Sequence, residues 1–210
     1  TVGVITKGTL TGFIGTETVT ATAAGTDYAS ANAGSYTSTI SYTLVDGTNG
    51  GLASNYSLAN EVASGTITQK SITITVDAGQ TKVYGDADPV FAYTSSEALV
   101  TGDTFSGSLS RVNGENVGTY TYTIGSLTAG SNYIVTLIGS DTFAITAKPI
   151  TVTADASQTK VYGTADPALT YSVSPGLVRN DTFSGVLKRA IGENTGTYAI
   201  GQGTLTAGNN

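Results

Sequence analysis

Ser71-Ile72-Thr73-Ile74-Thr75-Val76 alternates apolar and hydroxyl side chains. A strand sends successive residues to opposite faces, so Ile72, Ile74 and Val76 share one face and the threonines the other. The stretch returns 78 positions later as Ile150-Thr151-Val152-Thr153-Ala154. The match continues: residues 72 to 132 recur as 150 to 210 without insertion or deletion, and 37 of the 61 paired positions are identical. Asp103-Thr104-Phe105-Ser106-Gly107 reappears as Asp181-Thr182-Phe183-Ser184-Gly185, and Gly118-Thr119-Tyr120 as Gly196-Thr197-Tyr198. A fixed period of this size marks one small folding unit copied in tandem, suited to length and contact more than to turnover.

Further strands are expected at Lys82-Val83-Tyr84, Val90-Phe91-Ala92-Tyr93, Thr104 to Leu109, Thr119 to Ile124, Tyr133 to Ile138 and Thr142 to Thr146. Turn residues separate them, as in Tyr84-Gly85-Asp86-Ala87-Asp88-Pro89, Thr101-Gly102-Asp103 and Asn113-Gly114-Glu115-Asn116. The 38 threonines, with Val and Ile, suit pleated half-buried surfaces. The fold class expected is all-β: small sandwich-like modules in tandem, arranged as an elongated rod.

The first 69 residues are a more diverged relative. Asn32-Ala33-Gly34-Ser35-Tyr36 lines up with Asn116-Val117-Gly118-Thr119-Tyr120, and Asn55-Tyr56-Ser57-Leu58 with Asn132-Tyr133-Ile134-Val135. Gly65 to Lys70 lines up with Phe143 to Lys148 at the same spacing of 78. Three modules are therefore expected: 1–69 without its first strand or strands, 70–147 complete, and 148–210 without its last strands. The joints Ile67-Thr68-Gln69-Lys70-Ser71-Ile72 and Lys148-Pro149-Ile150 hold no Gly or Ser tract, which predicts stiff connections. The missing strands have two explanations: a window cut from a longer array, or completion by strands of neighbouring chains.

Composition excludes several function classes. The chain has no Cys, Met, Trp or His, so disulfides and thiolate or imidazole metal sites are out of reach. A net charge of -6, with nine basic residues scattered singly, argues against nucleic acid and anionic membrane surfaces. No apolar run approaches the ~20 residues of a membrane-spanning helix.

Gln80-Thr81-Lys82-Val83-Tyr84-Gly85-Asp86-Ala87-Asp88-Pro89, Gly102-Asp103-Thr104-Phe105-Ser106-Gly107, Arg111, Gly114-Glu115-Asn116-Val117-Gly118-Thr119-Tyr120 and Ala147-Lys148-Pro149-Ile150 together resemble the mostly bacterial glycine-rich domain, MBG. The likeness covers residues 70 to 210. Residues 1 to 69 resemble the related YDG-type domain through Asn32 to Tyr36 and Asn55 to Leu58, but lack the Tyr-Asp-Gly stretch that gives that family its name. The resemblance implies a tandem repeat region of a large secreted bacterial surface protein of the adhesin kind. It brings no catalytic residues.

Candidate chemistry is thin. Asp86 and Asp88 flank a turn and could offer oxygens to calcium, but a calcium site needs six to eight, and Thr164 replaces Asp86 in the copy. Glu115 with Asp103, and Glu193 with Asp181, could act as acid and base on a glycoside, yet the chain has no Trp for sugar stacking. Arg111 and Arg189, four residues before Glu115 and Glu193, offer ion pairs instead. Lys82 with Asn116 or Asp103 could form an isopeptide cross-link if buried together. The repeated Tyr84, Tyr93 and Tyr120 are expected to fill cores with their hydroxyls at the rim. Asn55-Tyr56-Ser57 and Asn180-Asp181-Thr182 fit the N-glycosylation pattern.

The reading reached from sequence is a structural stalk segment of an extracellular or cell-surface bacterial protein. It assigns no catalytic, cofactor-binding or metal residue and no cofactor. The expected partners are neighbouring repeats of the same chain or identical chains, with a surface glycan or host protein as a further candidate. Nucleic acid and membrane insertion are excluded. The alternatives are a filament or matrix-fibre subunit completed by strands of adjacent chains, and a glycan- or protein-binding module.

Overall fold

The computed structural model describes residues 8–210, so the first seven positions of the expected first module lie outside the described residues. Among those residues the regular structure is fourteen strands and one 3-10 turn, with no α-helix. The all-β expectation holds. Two compact units emerge among the described residues: one draws on residues 8–72 with Glu97–Ser106 and Thr128–Thr136, the other on Thr73–Ser96, Gly107–Leu127 and Leu137–Asn210.

The first unit contains an antiparallel sheet of β1 (Val19–Gly25), β2 (Gly34–Asp46) and β3 (Glu61–Ile67), in that order, with a 3-10 turn at Ala53–Asn55 between β2 and β3. β2 alternates along its length. Tyr36, Ser38, Ile40, Tyr42 and Leu44 are covered while the Ser and Thr between them face water, the period-2 pattern of a half-buried strand. Ser38, the most buried of these, donates its hydroxyl to the Thr26 carbonyl at 2.7 Å.

Residues 70–147 supply β4 (Lys70–Val76), β5 (Thr81–Val83), β6 (Tyr93–Ser95), β7 (Ser110–Arg111), β8 (Gly118–Thr123), β9 (Tyr133–Ile138) and β10 (Thr142–Thr146). They form two sheets, ordered β6-β4-β9 and β5-β10-β8-β7. β10 is central in the second sheet, parallel to β5 and antiparallel to β8. Its inward residues Phe143 and Ile145 are almost fully buried, as is Ile74 on β4. Phe143 packs edge-on against Phe91 at 5.2 Å and Tyr122 at 6.3 Å, and Phe91 meets Tyr122 at 5.1 Å. Edge-to-face aromatic groups at these separations add to their large area burial.

Residues 148–210 supply β11 (Thr151–Ala154), β12 (Tyr171–Ser174), β13 (Lys188–Arg189) and β14 (Ile200–Gly201), in two antiparallel pairs, β11-β12 and β13-β14. Leu187 and Leu205 are the buried apolar side chains here.

Two expected strands fall elsewhere. Val90 is exposed and follows Pro89, which has no N–H for a ladder, so only Phe91 turns inward and pairing starts at Tyr93. Thr104 to Leu109 is broken at Gly107, whose φ of 74° turns the chain where an added Cβ would meet the Ser126 carbonyl. What remains is an isolated bridge from Ser106 to Thr128 before β7.

Candidate functional site

Two constellations recur at the period of the sequence. The first is a charge cage built from turns. Lys82 leaves β5, Asp88 closes the following turn, Arg111 ends β7 and Glu115 lies in the Asn113-Gly114-Glu115-Asn116 turn. The Lys82 ammonium donates to Asp88 at 2.7 Å and Glu115 at 2.6 Å. The Arg111 guanidinium reaches Asp88 through Nε at 2.7 Å and Glu115 through Nη2 at 2.8 Å, and donates to the carbonyls of Val112 and Gly114. Its face lies over the rings of Tyr120 and Phe143, at 4.9 and 5.3 Å.

The third-repeat counterparts Lys160, Asp166, Arg189 and Glu193 make the same pairs at 2.6 to 2.9 Å. Arg189 lies over Tyr198 at 5.1 Å. Gly114 and Gly192 are required beside these rings, since an added Cβ would clash with Tyr120 and Tyr198.

The electrostatics follow from this geometry. The Arg111 guanidinium, then Lys82, holds Asp88 below the ordinary carboxylate range against its partial burial. Lys82 and then Arg111 do the same for Glu115. Burial opposes the charge on Lys82, but hydrogen bonds to Asp88 and Glu115 outweigh it and raise its pKa. All four groups are thus held ionised, so the cage contains neither a protonated acid nor a free amine.

This places the sequence candidates. The expected Arg–Glu pairs are present in both copies. Lys82 faces Asp88 and Glu115, at 2.7 and 2.6 Å, rather than Asn116 or Asp103. Asp103 accepts the Tyr133 hydroxyl at 2.6 Å, and Glu115 belongs to the cage. Asp86 is exposed and Asp88 is taken by cations, and the described residues hold no metal-binding group of three or more acidic, His or Cys side chains. Tyr84 is a core residue as expected, whereas Tyr93 and Tyr120 are only half-buried and Tyr162, the copy of Tyr84, is 70% exposed against 4%; Tyr122, not among the expected tyrosines, is buried.

The second constellation is a clasp that sequence reasoning did not identify. Asn132 accepts the Lys70 N–H on its main-chain oxygen at 2.8 Å and the Ala33 N–H on Oδ1 at 2.9 Å, while its Nδ2 donates to Asn32 Oδ1 at 3.0 Å. Asn210 repeats the pattern 78 residues on: Lys148 N–H at 2.8 Å, Val117 N–H at 3.0 Å and Asn116 Oδ1 at 3.4 Å. In both cases the asparagine grips an Asn-X-Gly turn one repeat earlier. The turn at Asn32-Ala33-Gly34 carries a further shared mark: the Tyr36 hydroxyl donates to the Asn32 carbonyl, as Tyr120 does to Asn116 and Tyr198 to Asn194. The available signal was the pairing of Asn132 with Asn210 and the freedom of X between Asn and Gly.

A salt bridge reinforces the later clasp. Arg179 Nη2 lies 2.9 Å from Glu115 of the earlier cage and over the Tyr84 ring at 6.0 Å, with Val178 against Gly85. Arg179 and the following Asn180 are left-handed, at φ of 54° and 63°, where Gly102 serves in the earlier copy.

The family model described as MBG domain (YGX type) matches residues 72–144 and again 150–210. Neither a curated protein nor a solved structure matches the chain. No helix among the described residues is long and apolar enough to cross a membrane, which says nothing about strands.

Proposed function

We propose that this chain, a member of the MBG domain (YGX type) family, is a stalk segment of a large bacterial surface protein of the adhesin kind. MBG domains are structural repeat modules typical of bacterial surface proteins. The finer reading divides the chain into modules 1–69, 70–147 and 148–210, the first of them YDG-like, and places it outside the cell. Its work is mechanical: it carries no catalysis, and its partners are its own neighbouring repeats.

The observation that carries this reading is the clasp. The same asparagine, one period apart, closes on the same kind of turn, with three hydrogen bonds each time. A joint rebuilt from the same atoms at each period gives successive modules the same relation, which is what a spacer needs. The shared turn at Asn32 also supports the kinship of the first module.

The absence of cysteine makes the test clean. Spin labels at Val112 and Val186, both exposed, should give one narrow distance distribution that Asn210→Ala broadens. A broad distribution in the unaltered chain would remove the stalk reading.

A further inference from the structure

Two copies of one turn differ in hand. Val178-Arg179-Asn180-Asp181 is closed by the Asp181 N–H on the Val178 carbonyl at 3.0 Å, and its copy Val100-Thr101-Gly102-Asp103 by the Asp103 N–H on the Val100 carbonyl at 2.9 Å. In the earlier turn only Gly102 is left-handed, at φ of 99°, at the position where a type II turn requires glycine. In the later one both central residues are left-handed, at 54° and 63°, as in a type I′ turn. Neither is glycine. A side chain on a left-handed residue crowds the following carbonyl oxygen, which asparagine tolerates through its short polar group and arginine does not. Such backbone persists only where its surroundings hold it.

The second repeat supplies those surroundings. Arg179 Nη2 lies 2.9 Å from Glu115 Oε2, which also accepts Lys82 at 2.6 Å, while Oε1 takes Arg111 at 2.8 Å. One carboxylate serves three cations, and of these Arg179 alone belongs to the third repeat. Its guanidinium carbon stands 6.0 Å from the centre of the Tyr84 ring. Tyr84 is buried and its hydroxyl faces Asp181, so that burial, then this carboxylate, raises its pKa. Val178 lies on Gly85, where an added Cβ would come within 2.8 Å of the valine Cγ2. Three of the four turn residues therefore touch the surface made by Tyr84, Gly85 and Glu115.

We propose that this turn is a recognition element, and that Tyr84-Gly85 with Glu115 is the site it reads: the third repeat accepts as its neighbour a repeat that carries Tyr-Gly and a turn glutamate, with Arg179 as the specificity-determining residue. The left-handed backbone brings the guanidinium to Glu115. The Thr101-Gly102 form of the turn avoids the strain but has no cation to offer. Glycine at position 85 leaves room for Val178, and because Glu115 is also a corner of the charge cage, the neighbour's arginine bears on the second repeat's own fold. This deepens the stalk reading and rests on it, but a spin-label distance reports stiffness whereas amide exchange reports contact, so the two fail separately.

The test is amide exchange in the full chain. The reporters on the recognised surface are the Tyr84 N–H, bonded to the Thr146 carbonyl at 2.8 Å, and the Asp86 N–H, bonded to the Val83 carbonyl at 3.1 Å. Those on the third repeat's own fold are the Ser184 and Thr206 N–H groups, which bond each other's carbonyls at 2.8 and 2.9 Å. Asn180→Gly keeps the arginine and should leave all four rates within about twofold of the unaltered chain. Arg179→Thr with Asn180→Gly installs the residues of the earlier turn. It should speed exchange at Tyr84 and Asp86 at least about threefold, the scale of a part-exposed ion pair with a ring contact, and leave Ser184 and Thr206 unchanged. Unchanged rates at Tyr84 and Asp86 in the double variant, the same rise in Asn180→Gly alone, or lost protection at Ser184 and Thr206 would each overturn the proposal.

Discussion

The second and third repeats share most of their sequence, yet their apolar side chains are not equally covered. Their charge cages are nearly superposable in bond length: 2.6 to 2.8 Å in one and 2.6 to 2.9 Å in the other. Their cores differ. Ile72, Ile74, Phe91 and Tyr122 are buried, whereas Ile150, Val152, Leu169 and Ile200 are half-covered. The cage depends on short-range turns, Lys82 to Asp88 and Arg111 to Glu115, that lie wholly within the copied stretch. The core depends on β9 and β10, which follow it. Local electrostatics is therefore set by residues within the copied stretch, and the cover over the second repeat's core by β9 and β10.

The largest way to break this contrast is Phe143→Ala. Removing a fully buried aromatic typically costs about 3–5 kcal/mol. Denaturant titration should show the second repeat losing that much, and exchange at 81–83 should rise. A loss under about 1 kcal/mol would mean that β10 is not what separates the two repeats.

Arg111→Ala comes next. It leaves Lys82, Asp88 and Glu115 crowded and partly buried with half their bonds gone, at a cost of about 2–3 kcal/mol. Arg189→Ala should cost clearly less, because Asp166 and Glu193 are more open to water. Equal losses by urea titration would show that burial of the cage is irrelevant.

Acid sharpens the comparison further. Carboxylates with depressed native pKa stabilise the fold above their unfolded values, about 4, and lose that contribution as pH falls through the native values. Asp88, Glu115, Asp166 and Glu193 all shift this way. Lys82 is raised, so its share is present below about 10.4 and is lost as pH rises through the higher native value. The urea midpoint should fall between about pH 5 and pH 2. Arg111→Ala should flatten that fall more than Arg189→Ala does.

The smallest effect is expected at Tyr122, whose hydroxyl is buried without a hydrogen-bond partner. Tyr122→Phe removes that desolvation and should stabilise by up to about 1 kcal/mol in thermal unfolding. The copy already carries an apolar residue there, Ile200. Destabilisation would mean that the hydroxyl is satisfied.

The period, the strand class and the apolar face of Ile72 to Val76 were legible because alternation and repetition are local properties of a string. β9 and β10 were expected at the residues where they occur. The shift of the Val90 strand was less visible, since Pro89 and a single inward Phe91 override a run of strand-forming residues. The Arg–Glu pairs were readable from their spacing of four. The partnership of Lys82 with Asp88 and Glu115 was not, because 33 residues separate Lys82 from Glu115 and only the pairing of β5 through β10 to β8 closes that distance. The clasp was hidden for the same reason: Asn132 and Ala33 lie 99 residues apart.

The clasp reads main chain at the middle position of the Asn-X-Gly turn, which is Ala33 in one case and Val117 in the other. The third copy has Thr195 there. Since the recognised atoms are a peptide N–H and an asparagine side chain, drift at the middle residue leaves the joint intact. Unequal crossing-over between copies in the gene would then delete or add whole periods and recreate the same joint at each new boundary, so reach can change over generations without any new interface having to arise.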